Sequence, residues 1–393
     1  MKHDWEYKKL GEVCDILNGC AFKSERYTDE GIRIIRITNV QKGYVADDDP
    51  KFYPKNEEKN ISPYLLKEGD LLMSLTGNVG RVGLLPHNFI PAALNQRVAC
   101  LRIINNNVVL PYLFHLFNSN KFENEAITYS NGIAQKNMST EWLKKYVIPI
   151  PPLPTQQSIV SELDSLSQII ADCKETLKDY DALEQSIFYD MFGDPVKNEK
   201  GWEVKKLGEV CTFKNGVNFS KNDKGKQYKF VGVSDFLDKK ELHARDLDSV
   251  LIEETVSSEY YLNEGDIVFV RSNGSKSLVG RNVLVHTEDE IVLFSGFCIR
   301  ARIHDENMTP LFLLHTLKAD SVKCLISNSG RGCNISNLNQ KILDSINVII
   351  PSLSLQNQFI GKISAIEQMK EETKKALQEA ETLFQARMDY WFN

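Results

Sequence analysis

The chain has no apolar run near the roughly 18 residues that a membrane-spanning helix needs, so that class is excluded. Its first residues, MKHDWEYKKL, are polar and lack the apolar segment of a secretory signal. Eight cysteines are scattered along 393 residues, and no two are spaced as CxxC. That spacing argues against a disulfide or zinc framework and for a reducing, cytoplasmic setting. No GxxxxGK[ST] loop occurs, nor a GxGxxG placed between a strand and a helix, so a phosphate-cradling nucleotide site is not expected. Nothing resembles the FxGxG and [ND]PP[FYW] pair of an adenine methyltransferase.

Catalytic constellations are equally scarce. Asp49-Pro50 with Glu57 and Lys59 loosely mimics a nuclease PD…ExK set, but the spacing is short and the surroundings read as a loop. The seven histidines are isolated. His115 and His315 fall on apolar helical faces at matching places, where a satisfied core or boundary histidine is the expected role. No catalytic residue, metal ligand or cofactor is therefore assigned to this chain.

What the chain does have is a long heptad stretch from Gln156 to about Phe192. Apolar or small residues recur at Ile159, Leu163, Leu166, Ile170, Cys173, Leu177 and Tyr180, in alternating steps of 4 and 3. This is the a/d seam of a coiled coil. The phase continues through Ile187 and Met191, with Glu184 out of character, and stops at Gly193-Asp194-Pro195. Such a rod would be roughly 50 Å long and needs a partner. The C-terminal stretch from Gln356 to Phe392 offers a weaker stripe: Ile363, Ile366, Met369, Thr373, Ala376, Ala380, Leu383 and Tyr390. Antiparallel pairing is expected, with Leu163 near Leu383. Two amphipathic helices lying on separate domains remain the plainer alternative.

The chain also repeats itself. WEYKKLGEVC at Trp5–Cys14 returns as WEVKKLGEVC at Trp202–Cys211, an offset of 197. Asn18-Gly19 answers Asn215-Gly216, Glu68-Gly69-Asp70 answers Glu264-Gly265-Asp266, and Gly80-Arg81 answers Gly280-Arg281. The proline-rich junction at 151–156 has a degraded partner at 351–356. Within each half, short apolar runs read as strands, among them 32–37, 70–75, 228–233 and 266–270. Each half has one helical patch, at 111–117 and 310–317, and ends in a strand running into proline. The reading is an α+β chain of two tandem, mostly antiparallel α/β domains. An antiparallel coiled coil of two long helices joins them, with a pseudo-twofold relation. The expected divisions are 1–150, 151–195, 196–350 and 351–393. A twofold pair of readers at a fixed separation suits bipartite DNA recognition.

Charge is unevenly distributed. Residues 151–200 hold 10 acidic and 4 basic groups, whereas 1–150 carries 17 and 19, and 201–350 carries 20 and 19. The first long helix is therefore acidic, and a nucleic-acid surface on either half must be a local patch. The polar loops between strands supply candidates. In the first half these are Lys23, Asn78, Arg81, Asn131, Gln135, Lys136 and Asn137. In the second they are Asn218, Lys221, Arg271, Asn273, Lys276, Arg281, Arg331 and Asn334. Arg can bridge guanine O6 and N7, Asn or Gln can bridge adenine N6 and N7, and Lys suits phosphate. Ordinary hairpin turns use the same Gly, Asn and Ser, so the two readings stay open at each loop. Gly77, Gly80 and Gly280 read as turn residues under either.

These features together resemble the specificity subunit of type I restriction-modification enzymes. The resemblance rests on the repeated WExKKLGEVC with its following Asn-Gly, the Leu94–Arg102 segment LNQRVACLR, and PIPPLPTQQ at 149–157 leading into the long helix. It spans essentially the whole chain. It implies two target-recognition domains, each reading half of a split, asymmetric site in double-stranded DNA. It implies helices that set half-site spacing and dock two methyltransferase subunits, with restriction/translocase subunits added outside. S-adenosylmethionine, ATP and magnesium would then belong to the partner subunits, and no catalytic site is implied here. A structural adaptor whose twin domains bind protein is the alternative.

Overall fold

A computed structural model describes residues 5–130, 137–218, 225–237, 239–253, 255–328 and 337–393. The chain forms two compact units, Met1–Glu175 with Lys374–Asn393, and Thr176–Thr373.

In the first unit a four-stranded antiparallel sheet has the order Cys14–Asn18, Val98–Ile103, Leu71–Ser74, Val82–Leu84. A three-stranded sheet sets Ile32–Ile35 between Phe52–Tyr53 and a parallel neighbour, Ala92–Leu94. Glu6–Lys9 pairs antiparallel with Val147–Ile150 and so ties the start of the repeat to its end. Leu71–Ser74 reads as an unbroken apolar run because both its faces are covered. Leu71 and Met73 enter one core, with Leu101, Tyr112 and Phe122, while Leu72 enters another, with Val98 and Cys100. Alternation along a strand produces this division.

The second unit repeats the plan. Its main sheet has the order Cys211–Asn215, Cys298–Ile303, Ile267–Val270, Asn282–His286, and a fifth strand, Glu241–His243, that runs parallel to the last. Ile267 and Phe269 face one core, Val268 and Val270 the other. The helical patches form at Leu110–Phe117 and Pro310–Lys318, each with proline in its first turn, where a missing N–H costs nothing. Short helices that the sequence reading missed include Asn120–Tyr129, Thr140–Lys145, Asp320–Asn328 and Gln340–Asp344. Three carry a side-chain N-cap: Ser119 accepts from Phe122 N, Ser139 from Trp142 N, and Asn339 from Ile342 N.

The two long helices are Leu153–Phe192 and Leu353–Phe392, of 40 residues each. Within the first unit Glu162 pairs with Arg387, and Lys174 with Glu381 at 2.8 Å. Within the second, Asp181 and Glu184 pair with Lys370, and Phe188 and Phe192 pack on Phe359. Rising numbers on one helix meet falling numbers on the other, so the pairing is antiparallel.

The seam of the C-terminal helix differs from the expected stripe. Met369, Ala376, Leu383 and Tyr390 are exposed, Leu383 by 50 %. The inward face runs through Ile363, Ile366, Lys370, Thr373, Leu377, Ala380, Phe384 and Met388. Leu163 accordingly shares a core with Met388 and Phe392, not with Leu383. An apolar count skips Lys370, yet Lys370 is buried because Glu184, the misfit of the other stripe, faces it.

Candidate nucleic-acid interface

A ladder of backbone hydrogen bonds gathers four loops at one edge of the first unit. Cys20 N donates to Leu94 O at 3.1 Å, and Gln96 N donates to Cys20 O at 2.9 Å. Leu75 N donates to Arg97 O at 2.9 Å, and Met138 N donates to Leu75 O at 2.8 Å. The second unit builds the same ladder. Val217 N reaches Phe294 O, Arg271 N reaches Phe297 O at 2.8 Å, and Leu338 N reaches Arg271 O at 2.8 Å. Glycine is required at Gly19 and Gly216: a Cβ there would collide with the carbonyls of Leu94 and Asn95, or of Phe294 and Ser295. This close approach is why Asn-Gly stands in both repeats.

The central turn of each ladder has one geometry and different tips. Val98 N donates to Asn95 O at 2.9 Å, and Cys298 N to Ser295 O at 2.8 Å. The tip residues are Gln96-Arg97 in the first unit and Gly296-Phe297 in the second. Phe297 is 59 % exposed. Neither Arg97 nor Phe297 was among the sequence candidates. Their shared place between repeat-matched strands was the signal that could have found them.

The structure places the earlier candidates as follows. Lys23, Asn78 and Asn137 are exposed on the gathered loops of the first unit. Thr76 bridges to Asn137, and Arg81 Nη1 donates to Gln41 Oε1 at 2.7 Å, which adds Gln41 to the group. Asn218 is exposed, while Arg271 and Asn273 are half-buried and Asn273 Oδ1 accepts from Ser275 N at 2.8 Å. Lys276 lies on the same loop, in the single turn Lys276–Leu278. Asn131, Gln135, Lys136, Lys221, Arg331 and Asn334 lie outside the described residues.

Gly80-Arg81 and Gly280-Arg281 close matching hairpins: Ser74 N donates to Arg81 O at 2.9 Å, and Val270 N to Arg281 O at 2.8 Å. Both glycines have positive φ, 81° and 86°, and a Cβ would crowd Ala126 or Ile326. Beside Arg281 opens a cleft of about 1000 Å³, lined in part by Lys240, Arg281, Lys318 and Lys323. Burial, with Lys240, Lys323 and Arg281 nearby, pushes the Lys318 ammonium down to about 8. Asp181 and Glu184 line the cleft too and neutralise Lys240, so the side that bears Arg281 and Lys318 is the place for an anion.

The junction motif has a physical role. Gln156 and Gln356 are fully buried at the start of the long helices. Gln156 accepts from Val109 N at 3.0 Å and donates to Asn107 O and Pro151 O, both at 2.8 Å. Gln356 accepts from Thr309 N at 2.9 Å and donates to Asn307 O and Pro351 O, both at 2.8 Å. One residue thus pins each helix to its domain. Asp70 and Asp266, from the repeated Glu-Gly-Asp, grip Arg102 and Arg302 in two-pronged pairs at 2.6–2.9 Å.

The residues that loosely matched a nuclease are held in separate ion pairs. Asp49 pairs with Lys51 and Arg36, and Glu57 with Arg26. His115 Nε2 lies 2.7 Å from Asp164 Oδ1, and burial holds its pKa below the usual value against that carboxylate. His315 packs edge-on against Phe359, and burial lowers it to about 4. His115 is thus a boundary histidine with a carboxylate partner, and His315 lies in the core.

The family model described as "Type I restriction modification DNA specificity domain" matches residues 2–179 and again 199–382. The chain belongs to this family: it is a type I restriction-modification specificity subunit with the DNA specificity domain twice, the non-catalytic part of such an enzyme. It is 22 % identical to the StySPI specificity subunit of Salmonella potsdam, over 92 % of this chain and 82 % of that one. It is also 22 % identical to the EcoKI specificity subunit of Escherichia coli K12, with the same coverage. Among solved structures it is similar to the S subunit from M. genitalium, with a TM-score of 0.54, 17 % identity, and 98 % and 95 % of the two chains covered. A structure described under complex assembly and conformational transition of the type I R-M system gives a TM-score of 0.62 at 20 % identity, covering 99 % and 98 %. These likenesses show the fold.

Proposed function

We propose that each half reads one half of an asymmetric, split site in double-stranded DNA through the loops gathered at its ladder. The observation that carries this reading is one backbone frame with two sets of tip residues. The first unit offers Gln41, Asn78, Arg81, Gln96, Arg97 and Asn137. The second offers Asn218, Arg271, Asn273, Arg281 and the Phe297 ring, with the Lys318 cleft suited to phosphate. Identical readers would demand a palindrome, and divergent readers an asymmetric site.

In this reading the long helices set half-site spacing and dock two methyltransferase subunits, to which restriction/translocase subunits add. S-adenosylmethionine, ATP and magnesium belong to those partners, and the assembly works in the cytoplasm. The exposed acidic residues Asp172, Glu175 and Asp179 of the central helix suit a basic partner face. The test is binding of the assembled methyltransferase to duplexes with one or the other half-site scrambled. Arg97→Ala should cost about 1–3 kcal/mol, and only on duplexes that keep the first half-site, if it contacts a base. Equal weakening on every duplex, with a shallower salt dependence, would mark a phosphate contact. Unchanged binding by Arg97→Ala, Arg81→Ala and Phe297→Ala would remove the ladder as the reading surface.

A further inference from the structure

The strand Glu241–His243 has no counterpart among the described strands of the first unit's four-stranded sheet. It is the outermost of five, held by parallel pairing with Asn282–His286. Residues two apart on a strand share a face, so Glu241 and His243 lie together. Register sets His243 beside His286, and their rings stack with centroids 4.7 Å apart. Glu241 Oε2 is 2.7 Å from His286 Nε2, and one ligand atom from each of the three side chains fits within 4.8 Å. Nδ1 of each ring faces a carboxylate outside this trio: Glu264 at 2.6 Å from His286, and Glu288 at 3.1 Å from His243. Both Nε2 atoms thereby face the trio, that of His286 through a proton shared with Glu241 that a metal ion would displace.

We propose that Glu241, His243 and His286 bind a divalent cation of the zinc class, with Glu264 and Glu288 orienting the imidazoles from outside. Two imidazoles and one carboxylate are a zinc donor set, with water filling the fourth place. Metal-bound histidines characteristically give their other ring N–H to a carboxylate, as both rings do here. With neutral imidazoles the three glutamates, offset by Arg245 at 2.9 Å from Glu288, leave two negative charges for a dication. Zinc–nitrogen bonds of about 2.0–2.1 Å require the ligand atoms to draw together and the rings to splay from their stack. All three side chains are half-buried, which leaves room for that rotation. The metal would clamp the added strand to Asn282–His286, the strand that leads directly from Arg281 and its hairpin. The first unit contains its own control: His87 meets only Glu68, at 2.8 Å, and its side chain is 83 % exposed.

The test is zinc titration of the full chain, stripped with chelator, in competition with a chromogenic chelator. One tight equivalent is expected. Glu241→Gln and His243→Asn should each weaken it more than tenfold, Glu264→Gln by about 10–100-fold, and His87→Asn not at all. Because eight cysteines offer other ligands, cobalt(II) should give visible bands without a thiolate charge-transfer band. Circular dichroism confirms that each variant is folded, and zinc should raise the melting temperature of the parent but not of His243→Asn. A thiolate band, no tight equivalent, or affinity unchanged by both Glu241→Gln and His243→Asn would overturn the site.

Discussion

Gln156 and Gln356 each hold the start of a long helix to its domain. The proline-to-glutamine junction was legible as a motif, and its second copy looked degraded because Pro152, Pro154, Thr155 and Gln157 give way to Ser352, Ser354, Leu355 and Asn357. The glutamine survives in both, and it is the residue that binds helix to domain. Replacing Gln156 with Ala strands Val109 N–H and the carbonyls of Asn107 and Pro151. At about 1–3 kcal/mol per buried unsatisfied group, partly relieved by water, the loss should be about 2–4 kcal/mol. Urea denaturation should show it, and a change under 0.5 kcal/mol would mean that water replaces the amide fully. His315 makes a second residue-scale prediction. Burial lowers it to about 4, so the unfolded chain takes up the proton first as pH falls. Its stabilising effect is present above about 6.5 and lost as pH drops toward 4, on the order of 3 kcal/mol. His315→Leu should flatten that part of the stability–pH curve. An unchanged slope between pH 6.5 and 4 would show that His315 is not the group responsible.

At the scale of elements, the first helix was read correctly because its stripe is apolar for seven consecutive seam places. The second was misread at Met369, Ala376 and Leu383, each one place short of the inward residue, because a count of apolar and small side chains passes over Lys370. The true seam accepts Lys370, which Glu184 and Asp181 satisfy from the facing helix. Burial opposes ionisation of Glu184, but hydrogen bonds from Lys240 and Lys370 outweigh it and hold its pKa below the ordinary value. Lys370→Met should therefore cost about 1.5–3 kcal/mol, since it removes one of the two ammonium groups that meet the buried Glu184 carboxylate and leaves it Lys240. The double change Glu184→Leu with Lys370→Met should recover most of that loss and leave Lys240 paired with Asp181. A double variant no more stable than the single would show that the pair contributes beyond mutual compensation. Along the same seam Leu163 is fully buried and Leu166 only half-buried. Leu163→Ala should thus cost about 2–5 kcal/mol and Leu166→Ala distinctly less, as thermal denaturation of the two would reveal. On the outer face, reversing Asp172, Glu175 and Asp179 to Lys should weaken assembly with the methyltransferase subunit, read by analytical ultracentrifugation. Assembly unaffected by the triple reversal would place docking elsewhere.

At the scale of the whole molecule, the repeat and its framework were legible because framework residues answer to one backbone geometry. Gly19 and Gly216 must be glycine, Asp70 and Asp266 must grip an arginine, and Glu6–Lys9 and Glu203–Lys206 must each pair with the closing strand of their half. The residues proposed to read DNA were not legible to the same degree, since hairpin turns and base-reading loops draw on the same Gly, Asn, Ser and Arg. Arg81 and Arg281 illustrate the ambiguity: each closes a hairpin through its backbone while its side chain bonds within the loops, Arg81 to Gln41 Oε1 and Arg281 to Ser277 O. Phe297 escaped notice because it is apolar, and Arg97 because Asn95-Gln96-Arg97 was read as framework; the shared ladder reveals that they occupy one place. The same division between frame and tip predicts modularity. If residues 1–150 are replaced by those of a relative, the frame of the remaining half is untouched, since its sheets, its core and its Gln356 clamp lie entirely in 176–373. Methylome sequencing of a strain carrying the chimaera should then show one half of the modified motif changed and the other retained. Retention should be complete at the half-site read by residues 201–350, because no tip residue there has been altered. A motif changed in both halves would mean that the two readers are not independent, and the assignment of one half-site to each ladder would fall.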